Sequence, residues 1–195
     1  AYMAEFVARV EHGSYQKRNI FMVNYRREYI LGSTVFLTIT LKNRQSDWLS
    51  RYINELRNAI KTARQRSPFD LIAICVLPEH LHIVMELPTN DSNFSHRVRL
   101  IKSLFSQQLA KKLALRPNAR GEYEIWQRRF WEHTIRDEAD LQRCVDYVHF
   151  NPVKHGLVTQ VKDWPFSSFH REVREGRLAE NWGGENAQTT GDWGE

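Results

Sequence analysis

Hydrophobic periodicity divides the chain between residues 34 and 151 into seven segments. Thr34 to Leu41 alternates and is β-branched, which predicts a strand. Ile53, Leu56 and Ile60 form a helical stripe within a segment from Trp48 to Arg66. Ser46 or Asp47 can cap it, and Pro68 follows it. Phe69 to Leu77 is a nearly continuous apolar run of strand length, which predicts a buried central strand. Pro78-Glu79 then leads by a tight turn into His80 to Leu87, so these two strands form an antiparallel hairpin. Val98, Ile101, Phe105 and Leu109 mark a long helix capped by Asp91 or Ser92 and reaching about Leu115. A fourth strand is expected around Phe130 to Ile135. A third helix starts at Asp137 or Glu138, carries Leu141, Cys144, Val145 and Val148, and is expected to end near Asn151 because Pro152 follows.

The order strand, helix, strand, strand, helix, strand with one added helix predicts an α+β, ferredoxin-like or RRM-like split βαβ fold. Helices are expected on one face of an antiparallel sheet, and the other face is expected to stay open for a site. Residues 1–33 read as a basic N-terminal arm, 34–170 as the main domain and 171–195 as an acidic tail outside the core.

Charge sharpens this division. The 195 residues carry a formal net charge of +5. Ten Lys/Arg against three Glu between Arg97 and Arg136 give +7, whereas three Arg against six acids after His170 give −3. Concentrated positive charge favours anionic partners. Apolar runs such as Leu71 to Leu77 are far too short to span a bilayer, so no membrane role is expected. Cys75 and Cys144 sit in apolar surroundings, which suits a reducing cytoplasm.

The sharpest chemical signal is His80-Leu81-His82. Side chains alternate along a strand, so His80 and His82 share one face with Val84 and Glu86, while Leu81, Ile83, Met85 and Leu87 face the helices. Two adjacent imidazoles make the start of a metal site, although a bare His-x-His is often incidental. Tyr147 and Asn151 lie four residues apart at the border of the third helix's apolar stripe and can present a phenol and a carboxamide together.

His80-Leu81-His82 resembles the His-hydrophobe-His motif of single-strand DNA nucleases and transposases. Asp146-Tyr147-Val148-His149-Phe150-Asn151-Pro152-Val153-Lys154-His155-Gly156-Leu157-Val158 is similar to the tyrosine segment of REP-associated tyrosine transposases. Tyr25-Arg26-Arg27, Trp126 to His133 and Asp163-Trp164-Pro165-Phe166-Ser167-Ser168 match the same family, so the resemblance spans roughly residues 20 to 170. It implies metal-dependent nicking and strand transfer of single-stranded DNA at hairpins of repetitive extragenic palindromes (REP), with a short tetranucleotide at the hairpin's 5′ foot. The implied cofactor is Mg²⁺ or Mn²⁺, held by His80 and His82. Asn151 stands where relatives place a polar third metal ligand, often Gln, and Tyr147 would be the nucleophile. The longer connection after the third helix and the C-terminal extension imply a monomer that completes its own site. A cytoplasmic, nucleoid-associated protein is expected.

DNA contacts are expected from Arg97, Arg99, Lys102, Lys111 and Lys112 on the second helix. Arg128 and Arg129 lie beside aromatic residues, Lys154 follows the tyrosine, and Arg18, Arg26 and Arg27 lie in the arm. His133 and His149 read as structural histidines. Two other function classes are compatible with these residues: a hairpin-binding module without turnover, and a metallo-phosphoesterase that uses water in place of tyrosine.

Overall fold

The computed structural model describes residues 29–183. Four strands form one antiparallel sheet: β1 (Thr34–Thr40), β2 (Asp70–Val76), β3 (His80–Glu86) and β4 (Trp131–Thr134), in the order β2-β3-β1-β4. Five helices accompany them: α1 (Trp48–Arg51), α2 (Ile53–Arg66), α3 (Phe94–Leu113), α4 (Glu138–Lys154) and α5 (Phe169–Arg174). This is the expected split βαβ arrangement. The basic arm with Arg18, Arg26 and Arg27 lies outside the described residues, as do positions 184–195.

The sheet has a core on each face. Val35, Leu37 and Ile39 of β1 and Leu81, Ile83 and Met85 of β3 pack with α2 and α3. The opposite face places Phe36, Ala73, Cys75 and Val84 against Cys144, Tyr147 and Val148 of α4. The expectation of one open sheet face is therefore corrected. An aliphatic or aromatic side chain gains about 1.5–3 kcal/mol on full burial, and the apolar stripe of α4 needs a partner surface. The same fact moves Tyr147 from the border of the stripe to its buried centre, 1% exposed.

Pro152 does not end α4. The helix runs to Lys154, and Gly156, at φ 66°, closes it. The Leu157 amide donates to the Pro152 carbonyl at 2.9 Å and the Gly156 amide to Val153 at 2.9 Å, which satisfies the terminal carbonyls. Proline costs its own amide bond, but its ring fits a helix that needs only one more half-turn before a glycine stop. Two smaller differences concern capping and continuity. The N-cap of α3 is Asn93, whose side chain accepts from the His96 amide at 2.9 Å, and the segment from Trp48 to Arg66 is two helices broken at Tyr52.

β2 is an edge strand rather than a central one. Its apolar run is explained by a strap that covers the edge. The Val76 amide donates to Phe166 at 2.9 Å, Ser168 to Ile74 at 2.8 Å, and the Trp164 indole to Val76 at 2.9 Å. Arg171 donates to the Leu71 carbonyl at 3.1 Å and also to Ile72. An unprotected edge would expose a row of unpaired amides and carbonyls, and here chain from the C-terminal side fills that role. Residues 171–183 thus pack onto the domain instead of trailing from it: Trp182 lies 6.1 Å from the rings of both His149 and Phe169.

Arg97 is also corrected. It is 1% exposed and donates to the Pro68 carbonyl at 3.0 Å, to Asn93 at 3.1 Å and to the Asp91 carboxylate at 2.8 Å. Its guanidinium ties the end of α2 to the start of α3 and has no face left for a phosphate. Arg97→Leu is expected to destabilise the fold by about 2–3 kcal/mol in urea unfolding, since it strands buried acceptors, and to leave DNA affinity of the folded protein unchanged.

Candidate active site

Strand register assembles the site. β1 and β3 pair so that Thr38 stands opposite His82 and Thr40 opposite His80. All four side chains then share the face beneath α4. His80 and His82 are both fully buried, and their Nε2 atoms lie 3.2 Å apart. Each ring is held from behind. His80 Nδ1 donates to the Glu79 carboxylate at 2.9 Å, and His82 Nδ1 bonds Thr38 Oγ1 at 3.0 Å. Burial alone would push the Glu79 carboxyl up, but the bond and charge of His80, helped by Arg44, hold it below the usual range. The Glu79 carboxylate orients the His80 ring so that its Nε2 points toward His82.

That arrangement fits a divalent ion. Two ring nitrogens 3.2 Å apart are close enough for one cation to take both. Hydrogen-bond partners behind both imidazoles, Glu79 and Thr38, orient them as metal-binding histidines require. Asn151 is fully buried one turn beyond Tyr147, and among the described residues its Oδ1 atom is not hydrogen-bonded.

Tyr147 completes the constellation from the same chain. Its ring meets the His82 ring edge-on, with centroids 5.3 Å apart, and the Phe36 ring at 5.9 Å. Lys154, two turns further along α4, donates to the Tyr147 hydroxyl at 2.9 Å, and its Nζ lies 4.8 Å from the ring centre. The exposed His155 sets its ring 5.1 Å from that of His80. Thr38, Glu79 and His155 were not singled out from the sequence. Only Glu79, directly preceding His80, left a signal there.

A second cluster, His133, Asp140 and Cys144, brings its potential ligand atoms within 4.8 Å of one another. Its chemistry is that of an ion-pair network. Asp140 accepts from His133 at 2.8 Å, from the Arg136 amide at 3.1 Å and from Arg143 at 3.0 Å. Burial opposes the Asp140 charge, yet these bonds hold its carboxyl down at about 2. Burial and the Asp140 charge push the Cys144 thiol up to about 12, so it keeps its proton and offers no thiolate. His149 is likewise structural. Its Nε2 bonds Ser168 Oγ at 3.0 Å, and burial pushes its imidazole down to about 4.

The remaining basic residues divide by use. Lys102 donates to the Gln127 carbonyl at 2.6 Å, and Lys112 pairs with Glu55, so both tie elements together. Arg99, Lys111, Arg128 and Arg129 are exposed, and Arg99 contacts the His96 ring at 3.0 Å. Trp126 is a core residue whose indole donates to Lys102 and Ser106, each at 3.1 Å. A groove of about 940 Å³ between α2 and the β2 edge contains none of the site side chains. Among the described residues, no helix is long and apolar enough to cross a membrane.

The sequence profile of the family described as "Transposase IS200 like" matches residues 14–151. The REP-associated tyrosine transposase of Escherichia coli (strain K12) is 46% identical over 164 residues, which cover 84% of this chain and 93% of that protein. This chain belongs to the REP-associated tyrosine transposases, within the IS200-like transposases. A Haemophilus influenzae protein that carries the same name provisionally is 48% identical over 166 residues, covering 84% of this chain and 94% of its own. A solved REP-associated tyrosine transposase bound to a REP hairpin superposes with a TM-score of 0.75 at 44% identity, covering 86% of this chain and 94% of that one. Tyrosine transposases of this family are enzymes, and the constellation of Tyr147 beside a histidine pair is the candidate centre of that activity.

The network around Asp140 anchors α4, so its titration is readable in stability. Asp140's native pKa lies below the unfolded value of 3.8, so its stabilisation is present above about pH 4 and is lost as pH falls toward 2. Asp140→Asn is expected to lower stability at pH 6 by about 2 kcal/mol and to remove that part of the acid-induced loss, as measured by thermal unfolding at pH 6, 4 and 2.5.

Proposed function

We propose that this transposase nicks and rejoins single-stranded DNA at REP hairpins through a covalent 5′-phosphotyrosine on Tyr147, assisted by a divalent ion at His80 and His82. The observation that carries this reading is the buried His80–His82 pair, with Nε2 atoms 3.2 Å apart, lying against the Tyr147 ring. Neither a pure hairpin binder nor a water-dependent hydrolase needs a tyrosine buried at that position.

In this reading His80 and His82 hold Mg²⁺ or Mn²⁺, with Asn151 as the third protein ligand. The ion supplies charge neutralisation and polarisation at the scissile phosphate. Two imidazoles and an amide are neutral donors, so they would leave a bound ion's positive charge unreduced. Glu79 and Thr38 hold the imidazole orientations. The Tyr147 oxygen attacks phosphorus, the P–O3′ bond breaks, and the strand leaves with a free 3′-hydroxyl. The bond energy is kept in the phosphotyrosine, so a 3′-hydroxyl can later attack it and rejoin the strand.

Binding of the hairpin and its 5′ tetranucleotide foot falls to basic residues, of which those in the described part are exposed. Arg99, Lys111, Arg128 and Arg129 stand in the described part of the chain, and Arg18, Arg26 and Arg27 in the arm. Phosphate contacts of this kind make affinity fall steeply with salt. Because Tyr147 and the histidines meet within one chain, a monomer suffices for one nicking site. The site of action is the DNA of the cytoplasm.

Two measurements test the reading. In a denaturing gel with a labelled REP hairpin oligonucleotide and Mn²⁺, wild type is expected to form a covalent adduct that is absent in Tyr147→Phe and in His80→Ala. Cleavage without adduct that persists in Tyr147→Phe would instead establish hydrolysis by water. In calorimetric titration, Mn²⁺ binding is expected to weaken at least tenfold in His82→Ala and by about tenfold in Glu79→Gln, whose loss releases the His80 ring.

A further inference from the structure

Lys154 is among the residues expected to contact DNA, and its ammonium lies at the tyrosine. Lys154 Nζ donates to the Tyr147 hydroxyl oxygen at 2.9 Å and stands 4.8 Å from the ring centre. The two residues are seven apart on α4, two turns along the same helix face. The helix reaches Lys154 only because it continues through Pro152 to the Gly156 stop. Had it ended at Asn151, this ammonium would not be carried on the tyrosine's face. The backbone of α4 thus presets a cation at the phenol oxygen, which carries negative charge both as nucleophile and as leaving group.

We propose that Lys154 is a catalytic residue of the strand-transfer cycle: its ammonium stabilises the Tyr147 phenolate both as nucleophile and as leaving group. This rests on the reading of Tyr147 as the nucleophile. In the forward step the phenol proton passes to water, the Tyr147 oxygen bonds phosphorus, and the P–O3′ bond breaks. The 3′ oxygen then takes a proton from water, and Lys154 keeps its three protons throughout. In the return step a 3′-hydroxyl loses its proton to water and attacks the phosphotyrosine. The P–O bond to Tyr147 breaks, and the phenolate leaves into the same ammonium before it is protonated by water. An oriented cation at a developing oxyanion commonly contributes a hundredfold or more in rate. Because both directions pass through the same charge distribution, loss of the ammonium slows both.

This role separates from phosphate clamping by what changes. A lysine that only grips DNA raises the dissociation constant and lowers the salt dependence of binding when removed. Lys154→Met is expected to bind the hairpin oligonucleotide and Mn²⁺ as wild type does. It should form the adduct about a hundredfold more slowly in single turnover, and resolve a preformed adduct with an added 3′-hydroxyl strand about a hundredfold more slowly as well. Lys154→Cys supplies the control for folding, because treatment with 2-bromoethylamine rebuilds an ammonium at that position. Cys75 and Cys144 are both buried with thiols pushed up, so the exposed Cys at 154 reacts selectively. Recovery of both rates in the alkylated variant supports the proposal. Rates within threefold of wild type in Lys154→Met would overturn it, as would a loss confined to hairpin affinity, or slow rates that alkylation does not restore. Failure of the wild type itself to form an adduct would remove the Tyr147 reading, and this proposal with it. An adduct in wild type that Lys154→Met forms at full speed removes this proposal alone.

Discussion

The packing of α4 onto the second face of the sheet is the constraint from which the site follows. Cys144, Tyr147 and Val148 are buried against Phe36, Ala73, Cys75 and Val84. That contact brings the Tyr147 ring to the His82 ring and sets the depth of the phenol beneath the helix. The sheet contributes the histidines through period-two alternation alone. The helix contributes Tyr147, Asn151 and Lys154 through 3.6-residue periodicity alone. Neither periodicity contains the other, and only the apolar interface between them fixes their relative position.

That interface is guarded on two sides. Asp140, near the start of α4, gathers His133, Arg136 and Arg143, which ties the helix to β4 and to its own first turns. At the far end His149 reaches Ser168, whose hydroxyl also accepts from the Ile74 amide on β2 at 2.9 Å. The strap from Trp164 to Arg171 therefore serves two ends at once: it satisfies the exposed edge of β2 and braces the helix that carries the tyrosine. A buried, weakly basic His149 suits such a brace, because it stays neutral over the working pH range and places no charge behind the site.

The distribution of basic residues shows how far composition can mislead about any single position. The net +7 between Arg97 and Arg136 is real, but it is spent in three ways. Arg97 is buried in the core, Lys102 and Lys112 join neighbouring elements, and Arg128 and Arg129 remain on the surface. A cation count fixes the character of a surface on average. Which cations remain available depends on the acceptors the fold brings beside each one, and Pro68, Gln127 and Glu55 are all distant from their partners in the chain.

Local patterning determined the element types, the antiparallel hairpin, the shared face of His80 and His82, the four-residue step from Tyr147 to Asn151, and the resemblance that points to a tyrosine transposase. These are short-range properties, set by backbone periodicity and side-chain type within a few residues. Tertiary structure decided the rest. The place of β2 at an edge depends on strand order and on a strap some 90 residues away in the chain. Thr38 as the partner of His82 depends on register between β1 and β3, and register is a long-range choice. The burial of the histidines depends on a helix whose apolar stripe was legible but whose partner surface was not. The end of α4 lies beyond Pro152, the stop that local patterning predicts, because the helix has only to reach Gly156, where the chain can turn through positive φ at little cost. Sequence spacing carries the chemistry each element can offer, but contact between elements is settled by which apolar faces bury one another.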